Sequence, residues 1–220
     1  MDGEDELLHG ALSALLEGSL QPDLREPPLQ VIPATGPCRK ILYTTKIQWL
    51  RSLALGTAGS LDSEARFPED VAIVWRSGPL GGAHRALVRA VASTLAAPMW
   101  FIGDLDPLDL VTFATMAEPG ASPLPTASYL GVDSPWLDRC DQDIRSQRAR
   151  SIQAVCVPLG DDERHGLERL QQLPIDWAGL VGPSAWALLQ SGLKLELEGA
   201  SNPRLYSSGL RDELLQIVFG

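Results

Sequence analysis

The chain has 220 residues, of which 45% are hydrophobic and 21% charged, and its formal net charge is −10 at pH 7. This balance is typical of a globular protein with a buried core and argues against a disordered chain. Proteins that bind nucleic acid on their own usually have a basic surface, whereas this chain is acidic. Any contact with DNA therefore needs a local basic patch, a metal ion or a partner protein.

The N-terminal 39 residues are predicted to be separate from the rest of the chain. Residues 4–18 carry leucines at helical spacing with acidic residues in the first turn, which predicts an amphipathic helix that docks on a partner or packs back on the sheet. Residues 21–39 are rich in proline and are predicted to be an extended connector. We therefore expect a short segment over residues 1–39 and one domain over residues 40–220. The helical leucines are Leu7, Leu8, Leu12, Leu15 and Leu16.

Signals for membrane insertion, secretion and disulfide formation are not found in the sequence. No apolar run approaches the ~18–20 residues that span a bilayer, and the acidic start "MDGEDELL" is unlike a signal peptide. Cys38, Cys140 and Cys156 lie far apart and form no CxxC pair, so we expect reduced thiols and neither a disulfide nor a zinc site. The expected location is the cytoplasm, without membrane contact.

From residue 40 onward, short apolar runs alternate with amphipathic segments. Strands are predicted over residues 40–45, 71–78, 97–104, 127–133 and 151–159, and helices over residues 46–55, 81–96, 107–117 and 134–150. The tail is predicted to be helical over residues 161–173, 183–192, 193–200 and 207–219. This alternation predicts an α/β fold with a mostly parallel sheet of four to five strands flanked by helices. The second, third and fifth strands are apolar throughout, which predicts burial on both faces.

Three aspartates follow the third predicted strand, in "FIGDLDPLDL" over residues 101–110. Asp104 and Asp106 are two residues apart, so in an extended segment their carboxylates point to the same side, about 6.6–6.8 Å apart along the chain. Two such carboxylates can hold Mg²⁺, and the carboxyl ends of strands are where open α/β sheets gather functional groups. Alternatively, Asp106 is only the N-cap of a helix that starts with Pro107, and Asp109 only complements its dipole.

Four stretches carry a resemblance to a known family: "SGPLGG" (77–82), "WFIGDLDPLDL" (100–110), "SYLGVDSPWL" (128–137) and "LKLELEG" (193–199). On these stretches, residues 40–220 resemble the Toprim domain, the metal-binding α/β module of topoisomerases, primases and related nucleases. Within that family the sequence is most similar to the branch with the type VI topoisomerase A subunit and the Toprim-bearing subunit of Wadjet-type anti-plasmid systems. The resemblance implies a Toprim-like fold, a role on DNA in bacterial defence, and Mg²⁺ bound through Asp104 and Asp106, with Asp109 as the third candidate metal ligand.

Two departures from the family pattern bear on activity. The family's first strand ends in a glutamate that acts as a metal ligand or general acid/base, whereas the matching position here is Thr44. A threonine hydroxyl stays protonated near neutral pH, so either Glu196 or Glu198 has taken its place or the site is degenerate. The topoisomerase relatives also carry an upstream domain with a nucleophilic tyrosine, and residues 1–39 are too short for it and contain no tyrosine.

Two functions follow from the resemblance and its departures. We expect a non-cleaving or weakly active DNA-associated subunit that works with a partner protein, because one member of the family's catalytic set is missing. The alternative is a Mg²⁺-dependent nuclease that nicks or cleaves DNA through Asp104 and Asp106, assisted by Asp109 or Glu198. A phosphohydrolase of the haloacid-dehalogenase type is disfavoured, since its Asp-x-Asp pair ends the first strand and here the pair ends the third.

One basic cluster, "RSQRAR" over residues 145–150, is the candidate for direct contact with DNA. Arg145, Arg148 and Arg150 could bind backbone phosphates beside the acidic turn, although such a run is also typical of a solvated helix face. His84 and Arg85 begin the helix after the glycine-rich "SGPLGG" and are a second candidate for phosphate contact. A permissive turn is the simpler explanation of those glycines.

Overall fold

The computed structural model describes residues 29–55, 67–76, 82–117, 127–148, 151–200 and 207–220. The amphipathic helix predicted over residues 4–18 lies outside these ranges, and so does most of the glycine-rich turn, at 77–81. In the described part of the chain, no helix combines the length and the apolar character needed to cross a bilayer.

The described strands form one main sheet and one two-stranded ribbon. The strands are β1 Gln30–Ile32, β2 Lys40–Thr44, β3 Val71–Trp75, β4 Met99–Ile102, β5 Ser128–Tyr129, β6 Val157–Pro158 and β7 Leu193–Lys194. The main sheet has the order β1-β3-β2-β4-β5; β2 to β5 run parallel, and β1 pairs antiparallel with β3 at the edge. β6 and β7 pair antiparallel to form the ribbon.

Helices flank the main sheet. Their bounds are α1 Ile47–Leu55, α2 Gly82–Leu95, α3 Pro107–Ala117, α4 Ser134–Arg148, α5 Asp161–Gln172, α6 Trp177–Val181, α7 Pro183–Gln190, α8 Leu197–Ala200 and α9 Ser208–Phe219, with a short 3-10 helix at Ile152–Val155. The predicted helix over residues 107–117 matches α3 at both ends, and α6 has no counterpart among the predicted elements.

Alternate residues of the central strands face two separate apolar cores. Leu42 and Ile102 belong to one core, which also contains residues of α1, α4 and α9. Ile41 and Phe101 belong to the other core, which contains Val88 of α2. Because strand side chains alternate between faces, a strand covered on both faces is apolar throughout. The predicted α/β class with a mostly parallel sheet and flanking helices is confirmed.

Two predictions about secondary structure are wrong. Residues 151–159 do not form a buried fifth strand, since Ile152–Val155 is a 3-10 helix and the strand in this range is limited to the exposed Val157–Pro158. Pro158 has no N–H to donate to a central ladder, and β6 pairs with β7 outside the main sheet. Residues 193–200 begin as β7 and become helical only at Leu197. The fifth strand of the main sheet is β1, which lies within the segment predicted as a connector.

The start of β2 is anchored to the end of α9. Lys40 Nζ donates hydrogen bonds to the carbonyls of Ile217 and Val218, at 3.3 and 3.1 Å, and lies over the Trp100 ring. Carbonyls in the last turn of a helix lack partners within the helix and carry the negative end of its dipole, so a cation is favoured there. This contact holds α9 in place over the first core.

Candidate acidic site at the carboxyl ends of β2 and β4

The parallel register of β2 and β4 brings two segments together at the carboxyl edge of the main sheet. Thr44 is opposite Ile102, so the residues that follow each strand emerge side by side. One segment continues into Thr45 and Lys46, and the other into the aspartate-rich turn over residues 103–109. Functional side chains of open α/β sheets gather at this edge.

Asp104, Asp106 and Asp109 converge here, and we call these three residues the acidic cluster. One carboxylate oxygen from each lies within 4.8 Å of the other two. Asp104 and Asp109 are almost fully buried, with 1% and 2% of their surface exposed, and Asp106 is half-buried. Because hard divalent cations take carboxylate oxygens as ligands, the cluster could hold a metal ion.

Asp109 folds back from the first turn of α3 onto the end of β4. Its Oδ2 accepts a hydrogen bond from the N–H of Asp104 at 2.6 Å, and its Oδ1 accepts one from the Thr45 hydroxyl at 2.9 Å. Gly103 allows this approach, because a Cβ there would lie 2.5 Å from Asp109 Oδ2 and 2.7 Å from the Phe101 ring. The glycine of "FIGD" is therefore a packing requirement of the cluster.

Asp106 caps α3 and also belongs to the acidic cluster. Its Oδ1 accepts a hydrogen bond from the N–H of Asp109 at 2.7 Å, which is an N-cap interaction, and Pro107 is the first helical residue. The predicted N-cap role of Asp106 is confirmed. The Asp106 side chain can therefore cap α3 and also offer an oxygen atom to a metal ion.

Both oxygens of Asp104 already have partners within the protein. Oδ1 accepts a hydrogen bond from the N–H of Leu197 at 2.8 Å, and Oδ2 forms an ion pair with Nζ of Lys46. The N–H of Lys46 donates to the Thr44 hydroxyl at 2.9 Å, which holds the turn after β2. The Lys46 side chain is 30% exposed, so its ammonium group lies between the buried cluster and solvent.

Burial and mutual repulsion make full ionisation of the cluster unfavourable. Burial, together with the Asp106 charge, raises the pKa of Asp104 to about 7. Burial also raises the pKa of Asp106, and burial with the charges of both neighbours holds the pKa of Asp109 well above its usual range. Burial alone would lower the pKa of Lys46, but the Asp104 carboxylate outweighs it and raises that pKa. The cluster favours a nearby positive charge, and Lys46 supplies one.

A second lysine flanks the cluster from the C-terminal part of the chain. Nζ of Lys194 forms an ion pair with Oε1 of Glu163 at 2.8 Å. Burial raises the pKa of Asp106, and the positive charge of Lys194 lowers it. The backbone brings it there because Leu105 and Leu195 form an isolated antiparallel bridge with hydrogen bonds of 3.0 and 3.3 Å. The ribbon strand β7 is thereby tied to the aspartate turn.

The acids predicted as substitutes for the missing glutamate do not join the cluster. Glu198 lies on α8 with an exposed side chain, and it is not among the close acidic ligands found in the described residues. Oε1 of Glu196 lies 3.8 Å from Nζ of Lys194 instead. Thr44 is fully buried, and its hydroxyl is engaged by the backbone of Lys46.

The basic cluster predicted to contact DNA is only partly described. Arg145 on α4 is exposed and pairs with Asp141 one helical turn away, at 2.6 Å. Arg148 is the last residue of α4 and its side chain is not described, whereas Arg150 lies outside the described residues. His84 and Arg85 lie in the first turn of α2, each half-buried. DNA contact through these side chains stays a prediction.

Sequence reasoning missed both lysines of this site. Lys46 directly follows a predicted strand at the same edge as Asp104, and that position is a signal that could have identified it. Lys194 carries no comparable signal, because the Leu105–Leu195 bridge joins segments that are distant in the sequence.

No protein-family model matches the chain, and no curated protein matches it. The geometry and electrostatics of the acidic cluster are therefore the basis for assigning a function.

Proposed function

We propose that the chain is a Toprim-like protein that does not itself cleave DNA and acts as a DNA-associated subunit beside a partner protein. The observation that carries this proposal is the ion pair between Lys46 and Asp104. In the Toprim pattern the first strand ends in a glutamate, whereas β2 ends in Thr44 and is followed by Thr45 and Lys46. The site therefore lacks the further carboxylate of the family pattern, and a cation from the protein, Lys46, lies beside Asp104.

The ion pair works against metal-assisted cleavage. In such a reaction the metal ion polarises a phosphate oxygen and lowers the pKa of a bound water molecule. The Lys46 ammonium group neutralises charge, but it has no coordination position for phosphate or water. A divalent cation would compete with Lys46 for Asp104 Oδ2, and the raised pKa of Lys46 means that the lysine does not leave by deprotonation near neutral pH.

The charge of the chain supports dependence on a partner. A net charge of −10 disfavours unaided binding to the phosphate backbone, which depends on Lys and Arg displacing counterions. The two proteins in the resemblance, the type VI topoisomerase A subunit and the Wadjet Toprim subunit, are by name parts of larger assemblies. A partner that contributes basic surface would place this subunit on DNA.

The alternative is a Mg²⁺-dependent nuclease, and the convergence of three carboxylates within 4.8 Å favours it. Mg²⁺ binds through one or two carboxylates and keeps water molecules for phosphate chemistry, so Asp104 and Asp106 would be its ligands. Asp109 would then hold the turn through its hydrogen bond to the N–H of Asp104.

Divalent-metal binding by isothermal titration calorimetry separates the two functions. We expect no saturable Mg²⁺ or Mn²⁺ binding to the wild type at millimolar metal, and binding to Lys46→Met, because that variant leaves the cluster without its lysine. The double variant Lys46→Met, Asp104→Asn should not bind the metal ion. Arg145→Met is the control, because it removes an exposed positive charge on α4 outside the acidic cluster, and it should behave like the wild type. Wild-type binding that Asp104→Asn abolishes would favour the nuclease.

Plasmid nicking supplies the second readout. The proposal predicts no Mg²⁺- or Mn²⁺-dependent nicking by the purified chain, and recovery of a stable partner with the tagged chain from its native cell. Nicking by the wild type that disappears in Asp104→Asn would overturn the non-cleaving assignment and establish the alternative.

A further inference from the structure

Two large apolar side chains are exposed on the face of the main sheet that α2 covers. Leu87 on α2 is 53% exposed, and Val31 on β1 is 42% exposed. Val31 pairs with Val74 of β3, and paired residues of neighbouring strands point to the same face of a sheet. Because Val74 belongs to the same core as Val88 of α2, Val31 lies on the α2 side of the sheet.

The flank of α2 that carries Leu87 is directed toward β1. Leu87 and Val91 lie one turn apart on this flank, whereas Arg85 and Arg89 lie on the opposite flank. α2 connects the parallel strands β3 and β4, and such crossovers are almost always right-handed. With the strand order β1-β3-β2-β4, a right-handed crossover turns the Leu87 flank toward β1 and the arginine flank toward β4. We call the surface formed by Leu87, Val91 and Val31 the α2–β1 surface.

The N-terminal segment carries an apolar stripe that needs a surface to cover it. Residues 4–18 are predicted to be an amphipathic helix, with five leucines at helical spacing. An isolated helix of about 15 residues is only marginally stable in water, and most helical stability in proteins comes from packing of the apolar face. A helix over residues 4–18 therefore requires a surface such as the α2–β1 surface.

The chain enters the described structure next to this surface. Leu29 is the first described residue; it packs against the same core as Val88 of α2 and is followed directly by β1. Residues 19–28 link it to the predicted helix and can span about 33 Å when extended. α2 has 14 residues and is about 21 Å long, so this link reaches every point along it.

The charges of the two helices are complementary. Residues 4–18 contain four acidic residues and neither lysine nor arginine. α2 contains Arg85 and Arg89 and no acidic residue. Opposite charges within about 10 Å attract each other at ordinary ionic strength even where they form no ion pair. Charge therefore favours contact between this segment and α2.

We propose that residues 4–18 pack as an amphipathic helix on the α2–β1 surface of their own chain. The leucine stripe then covers Leu87 and Val31, and the N-terminal segment is part of the folded domain. The inference does not depend on the proposed function, because no residue of the acidic cluster takes part in the contact.

Amide hydrogen exchange of the full chain, read by mass spectrometry, tests this contact. In the wild type, the amides of residues 7–16 should exchange more than about tenfold slower than in an unstructured chain. Leu87→Asp places a like charge on the surface and should bring these rates to within about threefold of the unstructured rates. Ile175→Asp is the matched control, because Ile175 is also exposed, at 36%, and lies after α5, away from α2 and β1. It should leave the protection as in the wild type.

Val31→Thr is a second variant of the surface that keeps a β-branched residue in the strand. It should lower the protection of residues 7–16 by about threefold or more, because it replaces a methyl group by a hydroxyl. Val157→Thr is its control, since Val157 is 40% exposed in β6 of the separate ribbon, and it should have no effect on these amides.

The protection should not depend on protein concentration between about 1 and 100 µM, because the contact is within one chain. Protection that grows with concentration would make a second copy the occupant and overturn the proposal. Unstructured exchange rates for residues 7–16 in the wild type would overturn it as well, and so would full protection in both Leu87→Asp and Val31→Thr.

Discussion

The ammonium group of Lys46 forms an ion pair with the buried carboxylate of Asp104, and this contact joins the ends of β2 and β4. The same Asp104 accepts a hydrogen bond from the backbone of Leu197, so one side chain links the sheet to the C-terminal part of the chain. The pair therefore ties the ends of two strands to the C-terminal part of the chain, and under the proposed function it competes with a divalent cation for Asp104.

Lys46→Met should destabilise the protein. The substitution keeps the aliphatic length and leaves the cluster without its cation, and we expect a loss of about 1–3 kcal/mol in the free energy of unfolding at pH 8. This is less than for a fully buried pair, because Lys46 is 30% exposed and partly screened. Urea denaturation measures it, with Arg145→Met as the control for an exposed ion pair. A loss no larger than that of Arg145→Met would show that the cluster does not need Lys46.

The raised pKa of Asp104 predicts a pH dependence of stability. The folded state holds the Asp104 proton up to about pH 7, whereas the unfolded chain releases it near its ordinary pKa of 3.8. Protonation of Asp104 therefore adds its full contribution to the free energy of unfolding below about pH 4, and this contribution is lost as the pH rises to about 7. It amounts to at most about 4 kcal/mol, since one pKa unit corresponds to about 1.4 kcal/mol.

The free energy of unfolding, measured between pH 4 and 8 for the wild type and Asp104→Asn, tests this dependence. The wild type should lose stability relative to the variant as the pH rises through that window. Parallel pH profiles for the two proteins would contradict the raised pKa.

Gly103→Ala should disturb the aspartate turn. The new Cβ would lie 2.5 Å from Asp109 Oδ2 and 2.7 Å from the Phe101 ring, and we expect a destabilisation of about 1–3 kcal/mol from overpacking. Gly209→Ala is the matched control, because its Cβ would meet only Ser207 Oγ at 3.8 Å within α9. That control should be neutral or stabilising by about 0.5–1 kcal/mol, as for alanine in a helix. Thermal denaturation of both variants tests this prediction. Equal melting temperatures for Gly103→Ala and Gly209→Ala would exclude the predicted clash.

Trp136→Phe and Trp177→Phe should lower the free energy of unfolding by different amounts. Trp177→Phe removes the indole hydrogen bond to the carbonyl of Leu170, which keeps its second bond from the N–H of Leu173, so the loss is that of one hydrogen bond, about 0.5–1.5 kcal/mol. Trp136→Phe removes an N–H that has no partner in the described chain, so its loss should be smaller by about 1 kcal/mol. Chemical denaturation of the two variants measures the difference. A Trp136→Phe variant that is the less stable of the two would indicate that its N–H has an acceptor.

The alternation of apolar runs and amphipathic helices was sufficient to predict the mostly parallel sheet, because both periodicities are local properties of the chain. The N-cap role of Asp106 was likewise readable from Asp-Pro at a helix start. The predicted strand over residues 151–159 failed because an apolar run does not reveal whether a neighbouring strand is available, and Val157–Pro158 pairs only with β7.

The sequence by itself determined the fold class, the position of the aspartate turn after a strand, and the absence of an acid at the end of β2. Only the tertiary structure decided that Lys46 lies against Asp104 and that Lys194 flanks Asp106. The physical reason is that the register of β2 against β4 and the bridge between Leu105 and Leu195 are long-range pairings. Such pairings depend on how both cores pack, and no local pattern of residues encodes them.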